Sequence, residues 1–214
     1  MRERQLSGLD RLLSGANNFL RTVAAPAGSP ARPYPAKDVD EAELSDADRR
    51  HAAGLMRVNH AGEIAAQGLY QGHAAVAREG SVESHIHQAA QEEFDHLAWC
   101  EQRLKELKSD RSRLSPFWYA GAFAMGAASG VLGDKWSLGF IAATEQQVVE
   151  HLESHYERLP KDDKRSRAII RQMRVEEEEH EHDAIDAGAA ELPAGIKKLM
   201  TITSKVMTRT AYWI

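Results

Sequence analysis

The sequence is short of the residues that several classes of protein need. A single cysteine, Cys100, excludes an intramolecular disulfide and a cysteine-rich zinc site, and it fits a reducing compartment. Aromatic residues make up only 7% of the 214 residues, and runs of β-branched residues are few, which disfavours a β-sheet protein. No Gly-x-Gly-x-x-Gly sequence is present, so we expect no Rossmann-type dinucleotide site. The net charge of −5 gives no general attraction to nucleic acid, so we expect no nucleic-acid partner.

The chain also lacks a strongly hydrophobic run. Its N-terminus has no apolar segment typical of a secretory signal, so we expect no export by that route. The 20 residues Leu114–Gly133 carry no charge and are long enough to cross a bilayer. They include Pro116, four glycines and only five Leu, Ile, Phe or Val residues, so the driving force for insertion is weak. We therefore expect a buried, interfacial or partner-packing helix rather than a membrane span.

The chain contains 20 glutamates and 10 histidines, which are abundant for its length. Helix-capping and helix-ending residues divide it into an N-terminal part and a helical domain. Residues 1–44 are predicted to form an N-terminal amphipathic segment followed by a linker that contains four of the seven prolines. The amphipathic segment is expected to lie on a membrane, to pack against a partner protein, or to dock loosely on the rest of the chain. The domain 45–214 contains capping serines, a proline stop and long apolar stripes, which predict an all-α bundle. The predicted helices run from Ser45 to about Ala77, from Ser81 to Leu107, from the N-cap Ser115 onward, from Ser137 to Leu159, from Asp162 to Ala187, and from Pro193.

Glu-x-x-His pairs place a carboxylate and an imidazole on one helix face, where both can reach one metal ion. Three pairs occur: Glu93/His96, Glu177/His180 and Glu179/His182. Glu93 and His96 fall on the apolar stripe of their helix, where an unpaired carboxylate would be costly. Glu177 and His180 also fall on the apolar stripe of their helix. Glu179 and His182 fall on a more polar face of that helix. The sequence therefore favours the first two pairs.

Two further helices each carry one inward glutamate, Glu63 and Glu145. Glu63 precedes Glu93 by 30 residues and Glu145 precedes Glu177 by 32, so the chain repeats a unit of one inward Glu followed by Glu-x-x-His. This is the ligand pattern of di-iron and di-manganese carboxylate bundles. Four carboxylates offset two divalent ions, and six ligands leave open positions where dioxygen could bind. The alternative is that each inward Glu belongs to a buried ion pair or hydrogen-bond network.

Other acidic and histidine residues are interpreted more simply. In the run Glu176–Glu179 only Glu177 has the inward phase, and the rest are predicted to be solvated. His60, His151 and His155 are candidates for outer partners of the ligands. The remaining histidines, among them His73 and His182, are predicted to be exposed, and Cys100 is predicted to be a small buried hydrophobe.

At these residues the chain resembles the demethoxyubiquinone hydroxylase family, in its proteobacterial form. The resemblance covers about residue 45 to the end. The matching stretches are Asn59–Glu63, Glu92–Leu97, Ala142–Glu145, Glu176–His180 and the closing KVMTRTAYWI.

The resemblance implies a fold, a ligand set and a reaction. It implies a ferritin-like four-helix di-iron carboxylate bundle with additional membrane-associated helices, and a monooxygenase that hydroxylates the ring of polyprenyl demethoxyubiquinol in ubiquinone biosynthesis. The implied cofactors are two iron ions per chain, with O2 and an external reductant; NADH would serve without being tightly bound. The implied metal-binding and catalytic residues are Glu63, Glu93, His96, Glu145, Glu177 and His180.

The implied partners are the quinol, a membrane surface bound peripherally, and a second copy or other proteins of ubiquinone biosynthesis. We expect the chain at the cytoplasmic face of the cell inner membrane, because a polyprenyl quinone does not leave the bilayer cheaply. The aromatic-bearing uncharged helix and the basic C-terminal segment ending in Tyr212, Trp213 and Ile214 agree with this. Two alternatives stay open: a ferritin-like ferroxidase or peroxidase, and a non-catalytic membrane-associated lipid-binding bundle.

Overall fold

The computed structural model describes residues 15–25, 28, 30–76 and 81–214; of 81–88 and 90 it describes the backbone. Most of the predicted N-terminal amphipathic segment therefore lies outside the described residues, as do the side chains of the first two turns of the helix that begins at Ser81. Residues 15–24 are helical and end in a short π-helix, Leu20–Ala24. Six longer helices follow: α1 (Asp46–Val76), α2 (Ser81–Glu106), α3 (Ser115–Leu132), α4 (Asp134–Arg158), α5 (Lys164–Asp186) and α6 (Ala194–Ala211). The described residues contain no β-strand, which confirms the predicted all-α class.

The helix starts follow the predicted signals, with two exceptions, at α3 and α4. The helix α4 begins at Asp134, three residues before the predicted Ser137. The Ser45 hydroxyl accepts from the Asp48 amide at 3.1 Å and donates to its carboxylate at 2.7 Å, so the predicted capping box opens α1. Asp163 caps α5 by accepting from the Ser166 amide. Ser115 is not the N-cap of α3 as predicted: it is the first helical residue, and its hydroxyl donates to the Ser112 carbonyl.

The helices α1, α2, α4 and α5 pack around a core that has two apolar layers. One layer draws buried residues from all four helices, including Leu55, Trp99, Leu152 and Met173. The second layer includes Leu69, Tyr70, Ile141 and Ala184. Along each helix the predicted ligands lie between these layers, so the candidate site is at the middle of the bundle.

The helix α3 lies directly against α1, because glycines remove the side chains between them. A Cβ atom at Gly126 would lie 2.1 Å from the Leu69 carbonyl oxygen, and one at Gly72 would lie 2.1 Å from that of Phe123. Beneath this contact His73 is only 2% exposed and hydrogen-bonds Ser137, so the prediction that His73 is exposed was wrong. Within the described residues, no helix is long and apolar enough to cross a membrane.

Residues 30–44, which we call the strap, run along the outside of α2 and α5. Ala36 is fully buried, the Tyr34 hydroxyl donates to Glu106 at 3.1 Å, and Glu41 accepts from the buried Arg103. The predicted linker is therefore packed on the helices in this part.

Candidate metal centre

The six predicted ligands are all buried at the middle of the bundle, with exposed fractions between 0% and 6%. Glu63 comes from α1, Glu93 and His96 from α2, Glu145 from α4, and Glu177 and His180 from α5. The alternative pair, Glu179 and His182, is exposed. The inward phase that the sequence predicted for the six is confirmed, while their role as ligands stays a prediction.

Four of the six form one compact group. Glu63, Glu93, His96 and Glu177 each offer a ligand atom, and these atoms lie within 4.8 Å of one another. His96 Nδ1 is 3.1 Å from Glu177 Oε1, 3.6 Å from Glu93 Oε2 and 3.9 Å from Glu63 Oε2. Atoms that bind one ion at about 2 Å lie roughly 3–4 Å apart, so this group needs little movement to hold a metal ion.

His180 and Glu145 adjoin this group. His180 Nδ1 is 3.1 Å from Glu93 Oε1 and 3.4 Å from Glu177 Oε2. Glu145 Oε1 accepts a hydrogen bond of 2.7 Å from the buried hydroxyl of Tyr70. The sequence analysis did not identify Tyr70 as a partner of Glu145.

Several of these atoms are buried without a hydrogen bond. They are both oxygens of Glu93, Oε2 of Glu145, Oε2 of Glu177 and Nδ1 of His180. A buried polar atom without a partner costs about 1–3 kcal/mol, and more if charged. A metal ion would give each atom a partner, so the residues present fit a carboxylate- and imidazole-bound metal.

The crowded carboxylates alter one another's protonation. Burial, and then the charge of Glu93, raises the pKa of Glu63 well above its usual value. Burial, and then Glu177 and Glu93, does the same to the pKa of Glu145. Burial alone would also raise the pKa of Glu93, but its interactions with Glu63, His180 and His96 hold it well below the usual value. The group thus combines carboxyls that retain protons with one that is held ionised.

Both imidazoles turn their second nitrogen to an outer carboxylate on the opposite helix. His96 Nε2 is 2.5 Å from Glu176 Oε2, and His180 Nε2 is 2.7 Å from Glu92 Oε2. Such partners fix the orientation and tautomer of a metal-binding histidine and leave Nδ1 for the metal. The sequence analysis missed both residues: Glu176 was predicted to be solvated but is 9% exposed.

In the described part of the chain, none of the three histidines predicted as outer partners forms a hydrogen bond to a predicted ligand. The His155 Nδ1 atom pairs with Asn59 Oδ1 at 2.6 Å, and His151 lies against His155 with ring centroids 6.2 Å apart. His60 is fully buried one turn before Glu63, and neither of its ring nitrogens has a hydrogen-bond partner among the described residues. Burial lowers the pKa of His60 to about 4, which keeps its ring neutral.

Comparison of the sequence with known proteins assigns the chain to a family. The family model described as "Ubiquinone biosynthesis protein COQ7" matches residues 50–211. A Chromobacterium violaceum protein named 3-demethoxyubiquinol 3-hydroxylase is 54% identical over 204 residues, which are 95% of this chain and 98% of that protein. A protein of the same name from Nitrosococcus oceani is 51% identical over the whole length of both chains. A third with that name, from Azotobacter vinelandii, is 50% identical over 99% of both. The chain therefore belongs to the COQ7 family of ubiquinone biosynthesis proteins.

Proposed function

We propose that this chain is a 3-demethoxyubiquinol 3-hydroxylase. The observation that carries the proposal is the buried group of Glu63, Glu93, His96 and Glu177, whose ligand atoms lie within 4.8 Å of one another in a chain 50–54% identical to proteins of that name. A quinol ring is the substrate that this name implies. A lipid-binding bundle without catalysis would gain nothing from burying so many acidic groups at such cost.

We propose further that the bundle is of the ferritin-like di-iron type and that the hydroxylase domain spans 45–214. Glu63, Glu93 and His96 would hold one iron, and Glu145, Glu177 and His180 would hold the other. When bound, the two irons supply dioxygen activation. The chain's own contribution is positional: Tyr70 holds Glu145, the outer carboxylates hold the imidazoles, and the two apolar layers exclude water.

The proposed reaction balances with an external reductant. One atom of O2 enters the ring as a hydroxyl group, and the other leaves as water with two electrons and two protons. NADH is our proposed electron source, reacting without a tightly bound site on this chain, since the sequence has no Gly-x-Gly-x-x-Gly motif.

The experiment that tests this function uses iron-loaded protein under air with NADH and a short-tailed demethoxyquinone. We expect oxygen uptake that depends on the quinone, and a product that mass spectrometry finds one oxygen atom heavier. Iron binding without this product, but with oxidation of added Fe2+, would favour a ferroxidase instead. A protein that binds no iron would contradict the metal-dependent reading as a whole.

We also propose peripheral attachment to the cytoplasmic face of the cell inner membrane. The support is an exposed apolar stripe on α6, Leu199, Ile202 and Val206, which are 51–63% exposed. Exposed basic residues lie beside it on α6, and Trp213 and Ile214 follow at the C-terminus. An amphipathic helix of this kind binds an anionic interface. Assembly with a second copy or with other ubiquinone-biosynthesis proteins stays a prediction.

Replacing Leu199, Ile202 and Val206 by glutamine should lower binding to anionic phospholipid vesicles about tenfold or more, because the apolar contact area is lost. Vesicle flotation measures the bound fraction. The matched control replaces the exposed apolar residues Val175 and Ile185 of α5 and should leave binding unchanged. Equal loss in both variants, or in neither, would contradict attachment through α6.

A further inference from the structure

The strap reaches the candidate metal centre through one side chain, that of Arg32. Its Nε atom is 2.7 Å from Asp95 Oδ2, and its Nη1 atom is 2.7 Å from Glu176 Oε1. The Nη2 atom of Arg32 also donates a hydrogen bond to the Glu92 carbonyl at 3.2 Å. One guanidinium therefore joins α2 to α5 beside the two residues that serve as outer carboxylates. The contact spans more than 60 residues in the sequence.

The backbone around Arg32 is prepared for this position. Pro30, Pro33 and Pro35 fix the φ angle at three positions of the strap, which reduces the entropy lost when the strap docks. The amides of Ala31 and Arg32 donate to the Asp95 carboxylate at 2.7 and 3.3 Å. Asp95 is 2% exposed, so the strap supplies the hydrogen bonds that this buried carboxylate requires.

Two contacts lead from Arg32 to His96. In the first, Arg32 binds one oxygen of Glu176, and the other oxygen of that carboxylate is 2.5 Å from His96 Nε2. In the second, the guanidinium lies 5.0 Å from the ring centroid of Trp99, whose ring is 5.4 Å from that of His96. Arg32 thus fixes both the hydrogen-bond partner and the aromatic neighbour of the imidazole.

We propose that Arg32 is a positioning residue of the metal centre: it holds Glu176, and through Glu176 it orients His96 so that Nδ1 faces the metal. This inference rests on the proposed metal-dependent function. The strap is then part of the site and not merely a connection to the bundle. A lysine would carry the charge but could not bind two carboxylates with a planar fork.

The test compares metal affinity with stability in the full-length protein. Apo protein is titrated with Co2+, whose absorption spectrum reports coordination, and anaerobically with Fe2+. We expect Arg32→Gln to weaken binding about tenfold, the lower end of the range for removing an outer partner of a ligand, and Arg32→Lys to weaken it less. The metal-free melting temperature should change little, because Arg32 is partly exposed.

The matched control is Arg165→Gln. Arg165 also anchors the strap, through the Val39 carbonyl at 2.9 Å and the Glu41 carboxylate at 3.4 Å, and no contact joins it to Glu176 within the described residues. We expect less than about a twofold change in its Co2+ affinity, as for a residue outside the ligands' partners. If Arg32→Gln and Arg165→Gln weaken Co2+ equally, Arg32 only docks the strap and the proposal is wrong.

A double-variant cycle separates the route through Glu176 from a general effect. Once Glu176→Gln has been made, adding Arg32→Gln should lower Co2+ affinity little further. Independent, multiplying losses would overturn the proposed route. If the unsubstituted protein binds neither Co2+ nor Fe2+, the proposed function itself fails; metal binding that Arg32→Gln leaves unchanged overturns only the role of Arg32.

Discussion

Replacing Glu177 or His180 by alanine will abolish iron binding and quinone hydroxylation. Glu177 is 1% exposed and its Oε1 lies 3.1 Å from His96 Nδ1, while His180 Nδ1 is 3.1 Å from Glu93 Oε1. Each variant removes a proposed ligand, so the loss of iron affinity should exceed the roughly 10–100-fold cost of removing an outer partner. Iron per chain and quinone-dependent oxygen uptake measure the two effects.

The matched controls are Glu179→Ala and His182→Ala, which change the same residue types two positions along the same helix. Both side chains are exposed, so iron content and activity should stay within about twofold of the unsubstituted protein, as for surface substitutions. Circular dichroism of each metal-free variant checks that α5 still forms. Iron loss at Glu179 or His182, with retention at Glu177 and His180, would mean that the other pair binds the metal.

Replacing Gly126 by alanine will destabilise the fold by about 3 kcal/mol or more, the upper part of the range for overpacking. The new Cβ would lie 2.1 Å from the Leu69 carbonyl oxygen and 3.0 Å from the His73 nitrogen. Both are backbone atoms of α1, so a change of side-chain rotamer cannot relieve the overlap. The helix α3 must therefore move away from α1. For a chain of this size the melting temperature should fall by roughly 6–12 °C.

Gly121→Ala is the control, and its effect should have the opposite sign. Gly121 lies in the same helix, is exposed, and a Cβ there meets nothing within 4 Å. Alanine in an exposed helix interior is better than glycine by about 0.5–1 kcal/mol, so the melting temperature should rise slightly. Equal effects of the two substitutions would show that α1 and α3 do not approach so closely in solution.

Hydrophobic periodicity and helix-capping signals were sufficient to predict most of the helices and the inward position of the six Glu and His residues. The apolar stripe of α5 separated Glu177 from Glu179 because a helix residue's phase decides whether it faces the core. The same reasoning placed Cys100 in the core, where it is fully buried beside Met173 at 3.7 Å. Each of these features depends only on the residues within one helix, so it can be predicted from the sequence of that helix alone.

The errors concern contacts between distant segments. Glu176 has an outward phase on α5, but two residues from other segments, His96 of α2 and Arg32 of the strap, contact its carboxylate. His73 was expected in solvent because periodicity does not say that α3 covers that side of α1. The glycines at 72 and 126 were a usable signal for close backbone contact, but the spacing does not identify the partner helix.

On the proposed function, the buried carboxyls link the amount of folded protein to the supply of metal. Without an ion, Glu63 and Glu145 oppose folding at neutral pH, because burial raises their pKa values and folding must supply protons that the unfolded chain does not hold. Any ion that binds only the native state adds stability that grows by about 1.4 kcal/mol for each tenfold rise of its concentration above the dissociation constant. If iron is the bound metal, as proposed, a cell starved of iron would lose the protein itself to proteolysis, because a larger unfolded fraction is degraded.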